Sequence, residues 1–439
     1  LSDDRPQPDD GDIQRQVRQA RSRFLAMAGA YSLGVFNDNF LKQGLSLLAI
    51  TAALSSLQGW IAILFTLPFI LLAAPAGWMA DRFSKRTIVI GSKAAELVAM
   101  SLAALGLVLN CWPLLLTMLF LMAAQSTVFS PALNGSIPDL YPPSYVLKAN
   151  AHLKSVVTCF ILLGIVSAGL ALNNKAPLLP HLTWGQAILA GSLVVVSLLG
   201  LVVSFHTPYR PPADPEAPFP RAGPIETLRQ LWKLRQDPLL ARAVWADVFI
   251  WFIGPLQVMI INTLGKQQFA LDDAQTSYMV LAELGGLAVG GLLAGKIVRT
   301  QRWYRALAPA SLALAGFLLA TAASPLVPAK ASWSVVSPRM VYVLAMLACS
   351  GLAGGIFMVP LESFFQVRPA PQHRGSVLAA VNCAAFLGIL AAGIVYLPLN
   401  ECLQPNVTFA VMGGLALLGS AWMRAAFAKG DSRSEAAHD

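Results

Sequence analysis

Long apolar runs separated by short polar connectors occupy nearly the whole chain. They fall at 24–52, 57–80, 87–109, 113–137, 145–172, 183–205, 243–264, 274–295, 304–323, 338–362, 375–398 and 405–427. A membrane-spanning helix needs ~20 apolar residues, and each run reaches that length. The pattern therefore predicts an all-α polytopic membrane protein with twelve transmembrane helices. Pro68, Pro75, Pro131 and Pro360 lie inside runs. They are expected not to break them, because neighbouring membrane helices can re-satisfy the freed backbone groups.

The polar stretches divide the chain into an N-terminal segment (1–23), a six-helix bundle (24–205), a linker (206–242), a second six-helix bundle (243–427) and a tail (428–439). The linker begins with Pro208, Pro211, Pro212, Pro215, Pro218 and Pro220, a stiff composition. From Ile225 to Arg242 it places Leu228, Leu231, Trp232 and Leu234 near Arg229, Lys233 and Arg235. That pattern suits a helix lying on the inner membrane surface, and residues 13–24 carry a weaker version of it. The two bundles echo each other. Pro131 in span 4 leads to Asn150 in span 5, and Pro360 in span 10 leads to Asn382 in span 11. Two pseudo-symmetric six-helix bundles suit a transporter whose halves rock around a midplane site.

Composition agrees. Hydrophobic residues make up 56% of the 439 and charged residues 12%, about half the charge of a soluble domain, and the mean hydropathy is +0.62. The net charge of +9 is distributed by side. The N-terminal segment, the even-numbered connectors and the tail hold most of the Lys and Arg; the opposite side holds Lys175, Lys266, Lys330 and Arg339. The positive-inside rule puts both termini in the cytoplasm, so the basic balance is a topology signal and not one for nucleic acid. The cysteines, Cys111, Cys159, Cys349, Cys383 and Cys402, lie singly without a CxxC pair, so neither zinc nor a redox motif is indicated and unpaired thiols are expected. The first apolar run is span length, so no cleavable signal peptide is expected.

After span 2 comes Gly77-Trp78-Met79-Ala80-Asp81-Arg82-Phe83-Ser84-Lys85-Arg86, and after span 8 Gly291-Leu292-Leu293-Ala294-Gly295-Lys296-Ile297-Val298-Arg299. The first resembles the loop 2–3 signature of the major facilitator superfamily. Locally, small residues let helices approach, Asp81 is expected to cap a helix or pair with Arg, and the basic run meets anionic lipid. A plain stop-transfer charge cluster is the alternative. Gly77, Asp81, Arg82, Arg86, Lys296 and Arg299 form the candidate gating motif.

Phe36-Asn37-Asp38-Asn39 in span 1, Ser130 to Asp139 followed by Lys148-Ala149-Asn150, Gly354 to Leu361, and Arg374 to Asn382 together are similar to bacterial lysophospholipid transporters. With Trp251-Phe252-Ile253-Gly254, the last two look most like the transporter module found fused to an acyltransferase and an acyl-activating domain. The resemblance implies lysophospholipid and membrane lipids as partners, with acyltransferase and acyl-activating domains or proteins nearby. It departs at Leu133, where the family has Lys, and at Lys154, where an acidic residue is expected. One cation has left span 4 and one has appeared in span 5, so the site is expected to be rewired rather than copied.

Ionisable residues inside a membrane are costly, ~2.5–3.5 kcal/mol each on insertion scales, and usually face a cavity. Asp38 and Lys42 sit one turn apart on span 1 and share a face. In the superfamily resembled, spans 1, 4, 7 and 10 line the cavity, which adds Gln257 and Asn262. A lysophosphatidylethanolamine headgroup carries an ammonium and a phosphate, which a carboxylate and a cation so placed could address. The candidate substrate set is Asp38, Asn39, Lys42, Asn150, Lys154, Gln257, Asn262 and Asn382. A structural pair is the alternative for Asp38 and Lys42. Lys93 and Glu96, three apart on span 3, read equally as an internal charge pair or a functional one. Glu283, beside Gly285 and Gly286, is expected at the contact between halves; Asp247 and Glu362 lie near cytoplasmic ends.

Gly290 to Lys296 imitates a phosphate loop, but Ile297 replaces the required Ser or Thr inside a membrane run. No HExxH or GxSxG occurs, and no enzyme, metal or cofactor is indicated. Two functions remain. One is a lysophospholipid flippase of the bacterial inner membrane, delivering lipid to the cytoplasmic leaflet for re-acylation. The other is an ion-coupled exporter of small amphipathic solutes. A weaker third is a non-transporting platform for the acyltransferase.

Overall fold

The computed structural model describes residues 10–220, 223–298, 300–328, 337–369 and 374–435. The chain is almost wholly helical: α1 (Asp10–Thr51), α2 (Leu57–Leu71), α3 (Ala73–Arg82), α4 (Lys85–Val108), α5 (Trp112–Leu140), α6 (Pro143–Leu172), α7 (Trp184–Ser204), α8 (Gly223–Lys233), α9 (Pro238–Thr263), α10 (Asp273–Ile297), α11 (Leu307–Ala322), α12 (Pro338–Val367), α13 (Arg374–Cys402) and α14 (Pro405–Glu435). A short antiparallel hairpin, β1 (Pro177–Leu179) with β2 (Leu182–Thr183), joins α6 to α7.

Polar caps start several helices where the apolar runs begin. The Ser84 hydroxyl accepts from Thr87 N at α4, Thr183 and Gln186 form a capping box at α7, and Asp272 and Gln275 form another at α10. These supply partners for N–H groups that helix ends leave open. Among the described residues ten helices are long and apolar enough to cross a membrane, and α2 with α3, bent by 49°, makes an eleventh. The helix α1 is not in that set, since Asn37, Asp38 and Asn39 interrupt its apolar run.

Two local expectations change. The run 57–80 is broken at Leu72; Pro75, with no N–H, cannot bond back to Leu71 in the first turn of α3. Pro131 and Pro360 do lie inside continuous helices. The N-terminal amphipathic stretch does not form a separate surface helix. It is the first part of α1, whose 42 residues extend about 63 Å at ~1.5 Å each, twice the ~30 Å hydrocarbon thickness. There Ala20 and Val17 pack with Tyr141, Tyr145 and Val146, and Arg21 donates to the Tyr145 hydroxyl. Burial against the end of α5 and the start of α6 wins over the membrane surface.

The apolar core respects the middle of the chain. One large cluster draws mainly on α9–α14, joined by Ile165 of α6, and smaller ones draw on α1–α7. Within the second set, α10 and α12 pack backbone to backbone. A Cβ on Gly351 would overlap the Glu283 carbonyl oxygen, and one on Gly290 would overlap that of Leu352. Small residues that let helices touch are the usual membrane solution, because lipid offers no hydrophobic drive to associate.

Contacts tie the ends of the bundle together. Arg21 with Tyr145, Lys85 with Asp139, Asp214 with Asp81, Asp237 with Arg368, and Trp303 with Phe364 and Phe427 place the start of α1, the later part of α14, the linker and α8 at one end, called the termini end below. The hairpin marks the other. The linker lies on α3, where Ala217 O accepts from both Trp78 Nε1 and Arg82 Nη1 at 2.9 Å and Phe219 stacks edge-on against Trp78. On α8, Leu231 packs on the core while Ile225, Leu228 and Trp232 are exposed on the outer side. All five cysteines are free.

Candidate functional site

A connected group of buried polar side chains lies among α1, α4 and α5, against α7. On α4, Lys93 and Glu96 form an ion pair of 2.5 Å, and both are essentially inaccessible. Asn37 of α1 donates to Glu96 Oε1 at 3.3 Å and to Leu193 O of α7 at 3.2 Å. Gln125 of α5 donates to Glu96 Oε2 at 3.5 Å and to Ser126 Oγ at 2.9 Å. Ser126 in turn donates to Asp38 Oδ2 at 2.9 Å. A continuous chain of hydrogen bonds thus joins the charged pair to Asp38. Space for it comes from Gly34, where a Cβ would sit 2.5 Å from Lys93 Nζ.

Asp38 is buried, and its Oδ1 has no hydrogen-bond partner. Lys42, one turn further along α1, is half-buried and forms no ion pair with it; its ammonium lies 3.9 Å from the centre of the Phe65 ring on α2. A cation over an aromatic face keeps a modest attraction while its N–H donors stay available. The carboxylate and the ammonium therefore sit one turn apart on one helix, each within reach of the other's charge but without a salt bridge between them among the described residues.

The other candidate residues fall elsewhere. Asn39 turns its amide back to Val35 O at 2.8 Å, with its Cβ beside Gly164 of α6. Gln257 of α9 donates to Ser350 of α12 at 2.8 Å. Asn262 bonds Gln43 of α1 and Gln58 of α2 at 3.0 and 3.1 Å. Asn150 and Asn382 are exposed; Lys154 of α6 pairs with Glu362 of α12, linking the two helix sets. Asp247 is buried on α9, and Glu283 is buried on α10 with Oε2 unpartnered. In the basic motif, Arg86 donates to Phe205 O at 3.2 Å, Lys85 pairs with Asp139, and a Cβ on Gly77 would meet open space. Among the described residues the exposed Asp81 side chain has no cap or ion-pair partner, and Asp214 N of the linker donates to its carbonyl oxygen at 3.0 Å. Lys296 is exposed and Arg299 lies outside the described residues.

Sequence reading missed the polar contacts at the hairpin end. Besides the bonds to Asn262, Tyr396 of α13 receives a hydrogen bond from Gln58 at 2.6 Å, and Asn400 donates to Ser55 at 2.9 Å. Asp273, at the start of α10, is held by Lys175 and Lys266. Close packing seals the same end, since a Cβ on Gly59 would lie 2.8 Å from Gly393 O. Gln43 and Gln58, each a polar residue in an apolar run, were the available signal.

Comparison with known proteins places this geometry. A family model described as the Major Facilitator Superfamily matches residues 22–393. A lysophospholipid transporter of Enterobacter sp. is 24% identical over 352 residues, covering 78% of this chain and 80% of that protein. An uncharacterized MFS-type transporter of Bacillus subtilis is 22% identical over 343 residues, covering 76% and 77%. Among solved structures, a bacterial homolog of the human lysosomal transporter Spinster, inward-facing and unoccupied, superposes with a TM-score of 0.61 at 17% identity, covering 93% and 94%. The inward-open xylose transporter of E. coli gives 0.67 at 12%, covering 91% and 95%. With the membrane helices, the fold and a family match over most of its length, this chain belongs to the Major Facilitator Superfamily and is a membrane transporter.

Proposed function

We propose that the protein is a lysophospholipid flippase of the bacterial inner membrane. It moves lysophosphatidylethanolamine-type lipids to the cytoplasmic leaflet for re-acylation, by alternating access. The observation that carries this reading is the arrangement on α1: a buried Asp38 oxygen with no partner, and one turn away a Lys42 ammonium held over Phe65. A zwitterionic headgroup offers an ammonium to the first and a phosphate to the second, each a charge-assisted hydrogen bond. The names of the low-identity relatives support the same substrate class.

In this reading α1 and the bent pair α2–α3 complete twelve spans in two six-helix bundles, with both termini cytoplasmic. The contacts at the hairpin end close the outer side, and α8 lies on the inner surface through Ile225, Leu228 and Trp232. Acyltransferase and acyl-activating domains or proteins would receive the lipid. A second reading, an ion-coupled exporter of amphipathic solutes, draws on the hydrogen-bonded chain from Asp38 through Ser126 and Gln125 to Glu96.

The test is uptake of labelled lysophosphatidylethanolamine into liposomes holding only this protein, with and without a proton gradient. Gradient-independent uptake, lost in folded Asp38→Asn and Lys42→Gln, is the expected result. Uptake requiring the gradient favours the exporter. Uptake unaffected by either substitution removes Asp38 and Lys42 from the site.

A further inference from the structure

A groove of about 510 Å³ lies between α11 and α14, lined by Leu312, Leu417, Ser420, Ala421, Arg424 and Ala425. Both helices are among those apolar and long enough to cross a membrane, and Leu312 and Leu417 are 46% and 40% exposed. The groove therefore opens outward to lipid and is separate from the polar network of α1, α4 and α5. Its one hydroxyl is already used, since Ser420 donates to Ala308 O at 2.7 Å. The free polar group is the exposed Arg424 guanidinium, which forms no hydrogen bond or ion pair among the described residues.

Among the described residues neither groove helix neutralises that charge. The helix α11 has no acidic residue, and α14 has none before Asp431, two turns beyond. Trp422, 41% exposed two residues away, is the residue type that settles at the level of lipid headgroups. Toward the middle of the membrane, about one turn from Leu312 and Leu417, lie Gly316 of α11 and Gly414 of α14. A Cβ at either would meet nothing within 4 Å, so both glycines border open space.

We infer that this groove is a binding site for an anionic phospholipid of the leaflet at the termini end, with the phosphate on Arg424 and one acyl chain along Leu312, Leu417 and Ala421. The charge selects the ligand. A net-negative headgroup such as phosphatidylglycerol is neutralised by a lone guanidinium, whereas a zwitterionic phosphatidylethanolamine leaves its own ammonium beside Arg424. Because α14 also packs on α9, with Gly419 against the Phe249 ring, an occupied groove braces the C-terminal helices from outside.

Native mass spectrometry of the full chain in detergent, titrated with phosphatidylglycerol or phosphatidylethanolamine of identical chains, tests this. The first phosphatidylglycerol should bind about tenfold tighter than phosphatidylethanolamine, a difference of about 1.4 kcal/mol. Arg424→Gln should erase the preference and Arg424→Lys should keep most of it. Leu417→Trp, which fills the groove at an exposed position, should weaken binding of both lipids. Equal binding of the two lipids to the unaltered chain overturns the inference. So does a preference that survives Arg424→Gln, or binding insensitive to Leu417→Trp.

Discussion

Replacing Lys93 with methionine removes one member of a buried ion pair and leaves Glu96 among α1, α4 and α5 without a counter-charge. The pair distance is 2.5 Å and neither side chain meets solvent. The remaining donors to Glu96 are amides at 3.3 and 3.5 Å, long for hydrogen bonds to a carboxylate. Breaking such a pair from one side costs ~3–5 kcal/mol, while replacing both members by apolar groups of similar volume is often neutral. Lys93→Met and Glu96→Leu should each lose stability of that order. The double variant should lie within ~1 kcal/mol of the parent, because Asn37 keeps Leu193 O and Gln125 keeps Ser126. Unfolding in mixed detergent, followed by tryptophan fluorescence, gives the three differences. If the losses add, so that the double variant is the worst of the three, the electrostatic argument is wrong. Transport by a stable double variant then separates the two roles open to the pair: activity retained marks it as structural, and activity lost in a folded protein ties it to Asp38 through Gln125 and Ser126.

Two further outcomes follow from contacts elsewhere in the fold. Asn262→Ala leaves Gln43 and Gln58 short of a partner across the helix sets, costing ~1–3 kcal/mol; spin-label distances across the hairpin end should then show a larger separated population, and an unchanged distribution counts against a latch there. At α9, Asp237 caps the helix through Leu239 N and Leu240 N and pairs with Arg368 at 2.8 Å. Partial burial alone would raise its carboxyl, but Arg368 and the two N–H groups outweigh that and hold it below its ordinary 3.8. Its contribution is therefore complete above that value and lost as pH falls through the lower folded-state value. Asp237→Ala should cost ~1 kcal/mol as a lost cap in thermal melts at neutral pH, with the gap from the parent closing only in strong acid.

The order of helices was readable because lipid demands long apolar runs, and little else in a protein requires twenty such residues in a row. Boundaries governed by single backbone groups were less visible. The break at Leu72 depends on a missing N–H at Pro75, and the run there looks unbroken in hydropathy. The extension of α1 back to Asp10 depends on Val17 and Ala20 finding Tyr141 and Tyr145, partners more than a hundred residues away. Chemistry was legible as residue type and spacing: Asp38 with Lys42, and Lys93 with Glu96. What each group touches was not, because rotation of one helix against another decides it. Thus the bonds of Asn262, a candidate cavity residue, to Gln43 and Gln58 were not foreseen, and Arg82 in the basic motif meets a linker carbonyl that no side-chain pattern encodes.

The distribution of charge makes the two helix sets unequal. Lys93, Glu96, Asp38 and Lys42 all belong to α1 and α4. The second set also buries carboxyl side chains, Asp247, Glu283 and Asp273, but among the described residues its own ion pair to them is Lys266 with Asp273, beside neutral bonds such as Gln257 with Ser350 and Ser311 with Ala416 O. Between the sets, the hairpin end is joined by amides and hydroxyls of Gln43, Gln58, Asn262, Tyr396 and Asn400. Each such hydrogen bond is worth only ~0.5–1.5 kcal/mol net, since water replaces it on opening. The ionic contact there, Lys175 with Asp273, has its lysine half exposed, and an exposed partner screens the attraction. Lys266 can stay with Asp273 throughout, because both lie on the same side of the divide. Separating this end therefore costs a few bonds of modest strength, while the fixed charges of α1 and α4 need not part. A substrate that bridges the charges of α1 to polar groups of the second set supplies a difference of that size, which is what shifting a two-state equilibrium requires.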